Sequence, residues 1–344
     1  MKISSDTLKE KLKYLGFGIS KNSTDPIRTK VIRFSSDGTN VYAFTNDGVN
    51  SLKVLIGQTN DDFTAMTDYA QFVNVIKSCD GDIELKADNK SISIKTSIMK
   101  AKVPVYNSAT PISNPSAKNF PTPDKELTKD FRLGLIKLIL NTSHVVTAYQ
   151  KVYFGDNIMT SDTDNVLIVK DRIFDRDIML NSSSIELLSN ISNIKYTYLE
   201  GKTLRLYVLS DELEAVIEVD TNDDGDFQYE DMMELFSDID GASTDIDTGV
   251  LSKAVSTSQL FKKDPVAVFN ATGIYLNIDS SDFSYKISDK ACEDRQFILT
   301  PSIAKKICSI GDHVTMYYTN KDVIRCDFND VSEILSVTEV TVDE

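Results

Sequence analysis

The sequence has no run of 18 apolar residues, about the length that a membrane-spanning helix needs, so no membrane span is predicted. The first residues, Met1–Asp6, also lack the apolar core of a secretory signal, which predicts a cytoplasmic protein. The few cysteines show no CxxC spacing, which favours free thiols over disulfides or a metal site. These cysteines are Cys79, Cys292, Cys308 and Cys326.

Residues and motifs that carry enzyme chemistry are equally scarce. The only two histidines, His144 and His313, fall in different thirds of the chain, and there is no P-loop, GxGxxG or HExxH motif. Paired acids such as Asp61-Asp62 occupy predicted turns, where acidic side chains are common for backbone reasons. The sequence therefore predicts a protein without catalytic activity, cofactor or metal.

What the chain does contain is a pattern that occurs three times, over residues 68–105, 182–219 and 300–340. Each copy is predicted as a helix, two strands joined by a short polar turn, and a return strand. The predicted helices are Asp68–Cys79, Ser183–Ser192 and Ser302–Ile310. Because a repeat of long period defines the architecture, the rest of the chain is interpreted around it.

A matching first half, helix then strands, precedes each copy. Its helices are predicted at residues 6–15, 127–140 and 248–263. The 344 residues therefore predict three α+β domains, each with two helices on an antiparallel sheet. Their predicted bounds are residues 1–122, with a Pro-rich linker from about 104, then 123–240 and 241–344. The second junction, Ser237–Asp247, is short and acidic.

A net charge of −15 at first argues against a nucleic-acid partner. Within the six predicted helices, however, 12 Lys and Arg outnumber 5 Asp and Glu, which leaves −22 for the rest of the chain. Lysine is a good helix former that decorates solvated faces, but this does not explain why acids are scarce in these helices. The pattern favours a protein that meets a polyanion on its helix side.

Three local motifs accompany the repeats: residues 37–45 (DGTNVYAFT), 143–152 (SHVVTAYQKV) and 224–229 (DGDFQY). In order and spacing they resemble the bacterial-type DNA sliding clamp, the beta subunit of DNA polymerase III. The first is similar to that clamp's first hairpin, the second to the entry into its second domain, and the third to the turn that closes that domain. The resemblance covers nearly the whole chain, and its divergence indicates a phage-encoded version acting in the cytoplasm of a bacterial host.

The resemblance implies a DNA polymerase processivity factor. Two three-domain protomers would join head-to-tail as a homodimer, a six-domain ring that encircles duplex DNA with its helices lining the hole. Closing such a ring requires two different ends, here an edge strand of the first domain and one of the third. The ring would tether a replicative polymerase and be handled by a clamp loader, both bound through short peptide motifs.

Candidate DNA contacts follow from the same resemblance. Gln150 matches a glutamine that touches DNA in the family, and Lys151 follows it. The basic candidates on the predicted helices are Lys9, Lys11, Lys13, Lys77, Arg132, Lys137, Lys253, Lys305 and Lys306. Such side chains would hold phosphates without reading sequence.

The family also implies an apolar pocket for partner peptides, between a Thr-Asp-Gly-His-Arg-Leu turn and the C-terminal tail. Here the turn corresponds to Thr163–Ile168 (TDNVLI), which keeps Thr-Asp and lacks Gly-His-Arg, and the tail to residues 336–340, which keep only apolar character. The candidate pocket residues are Thr163, Asp164, Asn165, Val166, Leu167, Val337, Thr338 and Val340.

An alternative of another class is a phage structural or adhesion protein of tandem β-rich domains that binds calcium. Residues 220–231 (DTNDDGDFQYED) match a calcium loop at several positions, but Asp231 replaces the bidentate Glu and the loop follows a predicted strand. The alternative would explain the acidity of the chain but not its basic helices. The domain-closing turn accounts for Gly225, Phe227 and Tyr229 without an ion, and is the preferred interpretation.

If residues 220–231 form a structural turn, calorimetric titration with Ca²⁺ gives no heat up to millimolar ion, because no bidentate ligand completes the site. A Mg²⁺ titration controls for general screening of the acidic chain. A saturable Ca²⁺-specific heat with one site per chain would contradict the interpretation.

Overall fold

The computed structural model describes the chain apart from the following residues. These are 22–23, 25, 107–121, 124, 128–141, 143–147, 212, 220–226, 240–241, 262–264, 279–282, 291–293, 319–321, 330, 337 and 340–344. The chain divides into two compact units, unit 1 (Met1–Ile136 with Leu180–Asp220) and unit 2 (Lys137–Met179 with Thr221–Glu344). In the part that is described, no helix is long and apolar enough to cross a membrane.

The α-helices of the described residues are α1 (Ser5–Leu15), α2 (Tyr69–Lys77), α3 (Ser182–Asn190), α4 (Tyr229–Asp238), α5 (Thr248–Ser258) and α6 (Pro301–Ile310). The strands are β1 (Lys2–Ser4), β2 (Val31–Ser36), β3 (Asn40–Asn46), β4 (Asn50–Gln58), β5 (Ala65–Asp68), β6 (Asp82–Ala87), β7 (Ser91–Lys95), β8 (Lys100–Pro104), β9 (Lys125–Glu126), β10 (Lys151–Phe154), β11 (Ile158–Ser161), β12 (Asn165–Val169), β13 (Ile178–Asn181), β14 (Lys195–Leu199), β15 (Arg205–Leu209), β16 (Leu213–Glu218), β17 (Ala242–Asp247), β18 (Val266–Asn270), β19 (Gly273–Asn277), β20 (Ser284–Ser288), β21 (Arg295–Ile298), β22 (His313–Tyr318), β23 (Val323–Phe328), β24 (Val331–Ser336) and β25 (Thr338–Glu339).

Unit 1 contains a four-stranded sheet, in the order β1-β6-β7-β8, and an eight-stranded sheet, β5-β2-β3-β4-β16-β15-β14-β9. The eight-stranded sheet is continuous because β4 pairs antiparallel with β16, from Leu213↔Val54 to Ile217↔Asn50. Strands from the first third of the chain therefore share one sheet with strands from the second.

Unit 2 repeats this arrangement with a five-stranded sheet, β20-β19-β18-β21-β25, and an eight-stranded sheet, β13-β10-β11-β12-β24-β23-β22-β17, in which β13 runs past the boundary at Met179. Here β12 pairs antiparallel with β24, from Asn165↔Leu335 to Val169↔Val331. Because each large sheet joins neighbouring thirds of the chain, the compact units do not coincide with those thirds. The bounds of three domains at 122 and 240 stay a prediction.

Short strands lead directly into the helices, and sequence analysis missed them. β1, β5, β13 and β17 each end at the residue that caps the following helix. Asp68 and Asp247, for example, accept the backbone N–H of Gln71 and Val250, three residues into α2 and α5. The acidic junction Ser237–Asp247 is thus not only a linker, since its residues 242–247 pair with β22. Three to six residues with polar ends give too weak an alternation to be recognised as strands.

The cores lie between helices and sheets. Leu8, Leu12 and Leu15 form the buried face of α1, at the helical spacing that predicted it. In unit 2 Phe269 lies at the centre of a cluster, with its ring 5.1 Å from Phe297 and 4.9 Å from Tyr318. The three cysteines within the described ranges are free thiols, as predicted, while Cys292 and all but the first residue of the predicted helix 127–140 lie outside them.

Three hairpin turns combine two features: an Asp carboxylate accepts the backbone N–H groups two and three residues later, and the residue directly after the Asp is left-handed. Asp37, Asp47 and Asp162 hold the β2–β3, β3–β4 and β11–β12 turns in this way. The next residue takes a left-handed conformation, with φ of 96° at Gly38, 103° at Gly48 and 86° at Thr163. Because a β-branched residue pays a backbone penalty there, Thr163 is strained where the two other turns have glycine.

We expect Thr163→Gly to raise the free energy of unfolding by about 1 kcal/mol, because glycine adopts positive φ without the penalty. Gly48→Thr is the reciprocal variant, and should lower it by a similar amount. An added Cβ there meets no heavy atom within 4 Å, so only the backbone conformation is changed. Urea denaturation measures both, and a Thr163→Gly variant no more stable than the parent would show that the turn is unstrained.

Candidate nucleic-acid interface

The helix pair of unit 1 presents two exposed lysines at corresponding positions. Lys13 lies nine residues after Ser4, which caps α1, and Lys77 lies nine residues after Asp68, which caps α2. Both side chains are exposed and make no ion pair with any residue that the structure describes. They are therefore able to contact a phosphate without breaking an internal bond.

The helix pair of unit 2, α5 and α6, forms a groove of about 400 Å³ that is lined by both polar and apolar residues. Lys305 lines it, and Lys253 is exposed on the same pair of helices. The other polar lining residues are Ser252, Ser256, Gln259 and Ser309. The polar groups of this lining are hydroxyls, an amide and an ammonium group, with no carboxylate among the described lining residues, and such groups are suited to contact a sugar-phosphate backbone.

Two predicted DNA contacts on α1 instead bond within the protein. The Nζ of Lys9 donates to the carbonyl oxygen of Cys79 (2.8 Å) and lies 4.0 Å from Asp80, at the end of α2. The Nζ of Lys11 donates to the carbonyl oxygen of Leu55 on β4 (2.5 Å). Both lysines attach α1 to its neighbours, a role that helical spacing alone does not reveal.

Lys306, another predicted DNA contact, also bonds within the protein. Its Nζ donates to the Oδ2 of Asp162 at 2.6 Å, and both side chains are largely buried. Burial alone would raise the pKa of Asp162, but the hydrogen bond and charge of Lys306 hold it below its usual value. The pair connects α6 to the β11–β12 turn.

The remaining predicted DNA contacts lie around the start of β10 or outside the described residues. Gln150 is half-buried at the end of a short 3₁₀ turn, and Lys151 is half-buried as the first residue of β10. Arg132 and Lys137 lie outside the described residues. The structure thus leaves Lys13, Lys77, Lys253 and Lys305 as the exposed basic candidates.

The predicted partner pocket divides into exposed and buried residues. Thr163 and Asp164 are exposed in the β11–β12 turn, whereas Val166 and Leu167 are buried within β12. Asn165, which the motif places where the family has glycine, lies in extended strand opposite Leu335, and the left-handed residue of the turn is Thr163. The backbone of Thr338 pairs with Ile298 in β25, while Val337 and Val340 lie outside the described residues.

Helix α4, which lies next in sequence to the calcium-like loop, is a helix that sequence analysis missed. It carries Glu230, Asp231, Glu234 and Asp238 and no basic residue, so the helices of this protein are not uniformly basic. Its Met232 belongs to the same buried hydrophobic cluster as Val166 of the predicted pocket. The spacing of apolar residues over 232–236 was a signal for this helix, but the segment was interpreted as the continuation of a domain-closing turn.

Arg325 holds α4 in place. Its guanidinium lies 3.8 Å from the ring centre of Phe236 and 4.8 Å from that of Tyr317, between two aromatic faces. It donates to the carbonyl oxygens of Phe236 and Ile239 (3.2 and 3.3 Å) at the end of the helix. An arginine there satisfies carbonyls that the helix leaves unpaired.

The calcium-like loop is described only over residues 227–231. Phe227 is buried, with its ring 5.6 Å from Tyr149 and 5.7 Å from Tyr153, and Tyr229 lies 4.6 Å from Tyr153. These aromatic contacts give Phe227 and Tyr229 a packing role in the turn. Within the described part of the chain, no group of acids, His and Cys is arranged to hold a metal ion.

Two sheet edges carry exposed apolar side chains. β8 is an edge of the four-stranded sheet, next to Ile98, whose side chain is 84% exposed. β20 is an edge of the five-stranded sheet and follows Phe283, whose ring is 5.0 Å from that of Phe261 (45% exposed); Leu260, which precedes Phe261 in sequence, is 78% exposed. Unpaired edges beside exposed apolar residues are typical of strands that pair with another chain.

Comparison with known proteins gives a consistent result at the level of structure only. No protein-family model and no curated protein sequence matches the chain. Among solved structures, the chain superposes on the Helicobacter pylori beta clamp bound to a DNA ligase peptide with a TM-score of 0.74 and 12% identity. It superposes on the DNA polymerase III beta subunits of Thermotoga maritima and Borrelia burgdorferi with TM-scores of 0.73 and 12% identity. In all three comparisons the match covers 99% of both chains.

Proposed function

From the beta clamp fold that extends over the whole chain, we propose that this protein is a DNA sliding clamp, the non-catalytic processivity factor of a replicative DNA polymerase. The observation that carries the proposal is the end-to-end match, which covers 99% of this chain and of each of these beta clamps. Because the fold is shared over the full length of both chains, this protein has the same number and order of helix and sheet layers as such a clamp. The proposed place of action is the cytoplasm, where bacterial DNA is replicated.

Duplex DNA would meet the exposed lysines of the helix pairs. Lys13 and Lys77 lie on one pair, and Lys253 and Lys305 on the other. Because each helix pair has few exposed lysines, it would hold phosphates weakly and without sequence preference, which sliding requires. The acidity of the rest of the chain would disfavour contact with DNA elsewhere.

A homodimeric ring would join the β8 edge of one protomer to the β20 edge of its partner. Each edge has a free hydrogen-bonding side among the described strands and an exposed apolar neighbour, Ile98 at β8 and Leu260 at β20. Two different edges make a head-to-tail contact, which closes into a ring after a two-fold rotation. Within it, each chain would supply three domains, with bounds at 122 and 240.

Peptide motifs of a polymerase and of a clamp loader would dock at the β11–β12 turn and the C-terminal segment. The Helicobacter pylori beta clamp is described with a DNA ligase peptide bound, which supports docking of this kind. In this chain Thr163 and Asp164 are the exposed part of that surface, while Val166 and Leu167 support it from the core.

Charge reversal tests the DNA face. We expect the double variant Lys253→Glu/Lys305→Glu to weaken binding to duplex DNA at low salt, because two phosphate contacts per protomer become repulsive. The slope of log K against log salt should fall by about two per protomer. Fluorescence anisotropy with labelled duplex across a salt series measures both quantities.

The matched control is Lys90→Glu/Lys202→Glu, which reverses two exposed lysines in hairpin turns instead of helices. It changes net charge by the same amount and should bind DNA as the parent does, apart from a general charge effect. Equal losses in the two double variants would place DNA contact elsewhere than on α5 and α6.

The ring is tested by removing its apolar contact. The parent should have a mass in solution of about twice 38.4 kDa, and Leu260→Lys/Phe261→Lys should have the mass of one chain, because two buried charges would oppose the interface. Ile27→Lys is the control, since Ile27 is also an exposed apolar residue (68% exposed) but lies in unit 1, outside strand β8. Light scattering after size-exclusion decides, and a monomeric parent or a dimeric double variant would contradict the proposed interface.

A further inference from the structure

Glu333 is a carboxyl group in the interior of a sheet. It lies on β24 between Leu167 of β12 and Cys326 of β23, and its side chain is 0% exposed. Neither carboxylate oxygen has a hydrogen-bond partner among the residues that the structure describes. Ionising such a group is costly, and burial accordingly raises the pKa of Glu333 to about 7.

The charges that act on Glu333 belong to the ion pair between Lys306 and Asp162. Beyond burial, Lys306 lowers the pKa of Glu333 and Asp162 raises it. Lys306 is the only cation found to act on Glu333 within the described ranges, and its Nζ is already bonded to Asp162. One ammonium group therefore acts electrostatically on two carboxyl groups and is hydrogen-bonded to one of them.

The other titratable groups near Glu333 are thiols. Burial raises the pKa of Cys326, on the neighbouring strand, and of Cys308, on α6, so both stay neutral at physiological pH. Asp327 also acts on Cys326, but it is bonded to Arg325 at 2.6 Å. Lys306 and Asp162 are thus left as the charges that set the ionisation of Glu333.

The corresponding positions in unit 1 are apolar. Leu52, two residues after the first residue of β4, is opposite Ala215, just as Leu167, two residues after the first residue of β12, is opposite Glu333. Leu187 lies six residues after the cap of α3, as Lys306 does after the cap of α6. Ala215 and Leu187 are fully buried, so the architecture does not need ionisable groups at either position.

We propose that Glu333 is a proton-controlled switch that competes with Asp162 for Lys306, and so sets how firmly α6 is tied to the β11–β12 turn. With Glu333 protonated, Lys306 is held by Asp162 alone; with Glu333 ionised, the ammonium group is drawn inward and the tie is weakened. This inference goes beyond the proposed function and does not depend on it. Only a resulting effect on DNA or peptide binding rests on that function, because α6 carries Lys305 and the β11–β12 turn carries Thr163.

The sign of the pH effect follows from the raised pKa. The folded protein binds the proton on Glu333 more tightly than the unfolded chain, where the pKa is about 4.3. The stabilisation is therefore fully present below that value and is lost as pH rises to about 7. From pH 6 to pH 8 this single group should raise the unfolding equilibrium constant about tenfold.

Chemical denaturation of the full chain at pH 6 and pH 8 tests the switch. Glu333→Gln mimics the protonated side chain, so it should be more stable than the parent at pH 8 and lack the tenfold change. Glu10→Gln removes an exposed carboxyl group on α1 and should keep the parent's pH dependence. A Glu333→Gln variant with the parent's pH dependence would overturn the proposal.

Competition for Lys306 is tested by a double-mutant cycle of Lys306→Met and Asp162→Asn. The coupling between the two residues should be stronger at pH 6 than at pH 8 in the parent, and independent of pH in the Glu333→Gln background. If Glu333→Gln does not fold, the cycle in the parent decides. Equal coupling at the two pH values would overturn the proposal, whatever DNA binding shows.

Discussion

The structure depends on two antiparallel strand pairings, β4 with β16 and β12 with β24. Each joins a half-sheet from one third of the chain to a half-sheet from the next, and so produces a continuous sheet of eight strands. In each pairing five pairs of residues lie opposite one another, so two strand edges that would otherwise be open to other chains are covered. Among the edges that remain are β8 and β20.

Each pairing also brings a hairpin turn to a helix. In unit 1 the side chain of Asn50, at the β3–β4 turn, accepts from Ser184 and donates to Ser183 at the start of α3. In unit 2 the β11–β12 turn is held instead by the Asp162–Lys306 ion pair. One architecture thus connects turn and helix by neutral hydrogen bonds in one unit and by an ion pair in the other.

Sequence periodicity reached a large part of this fold. The strands His313–Tyr318 and Val323–Phe328 lie where the third repeat predicts two strands, because fully buried residues alternate with less buried ones along both. α4 and β17 were missed, since acidic helices and strands with polar ends resemble linkers in sequence. The resemblance to a sliding clamp supplied the architecture that periodicity alone left open, and the end-to-end structural match confirms that fold.

The candidate site was less accessible to sequence. Composition predicted basic helices, a pattern that α4 does not follow, since it carries four acidic residues and no basic one. It could not separate Lys253, which is exposed, from Lys9, Lys11 and Lys306, which bond inside the protein, because the acceptors lie 44 to 144 residues away. The sequence by itself determined the repeats, the helix faces and the turn chemistry, all of which are local. Tertiary structure alone decided which lysines reach solvent and which carboxyl group is buried, because burial depends on contacts between distant segments.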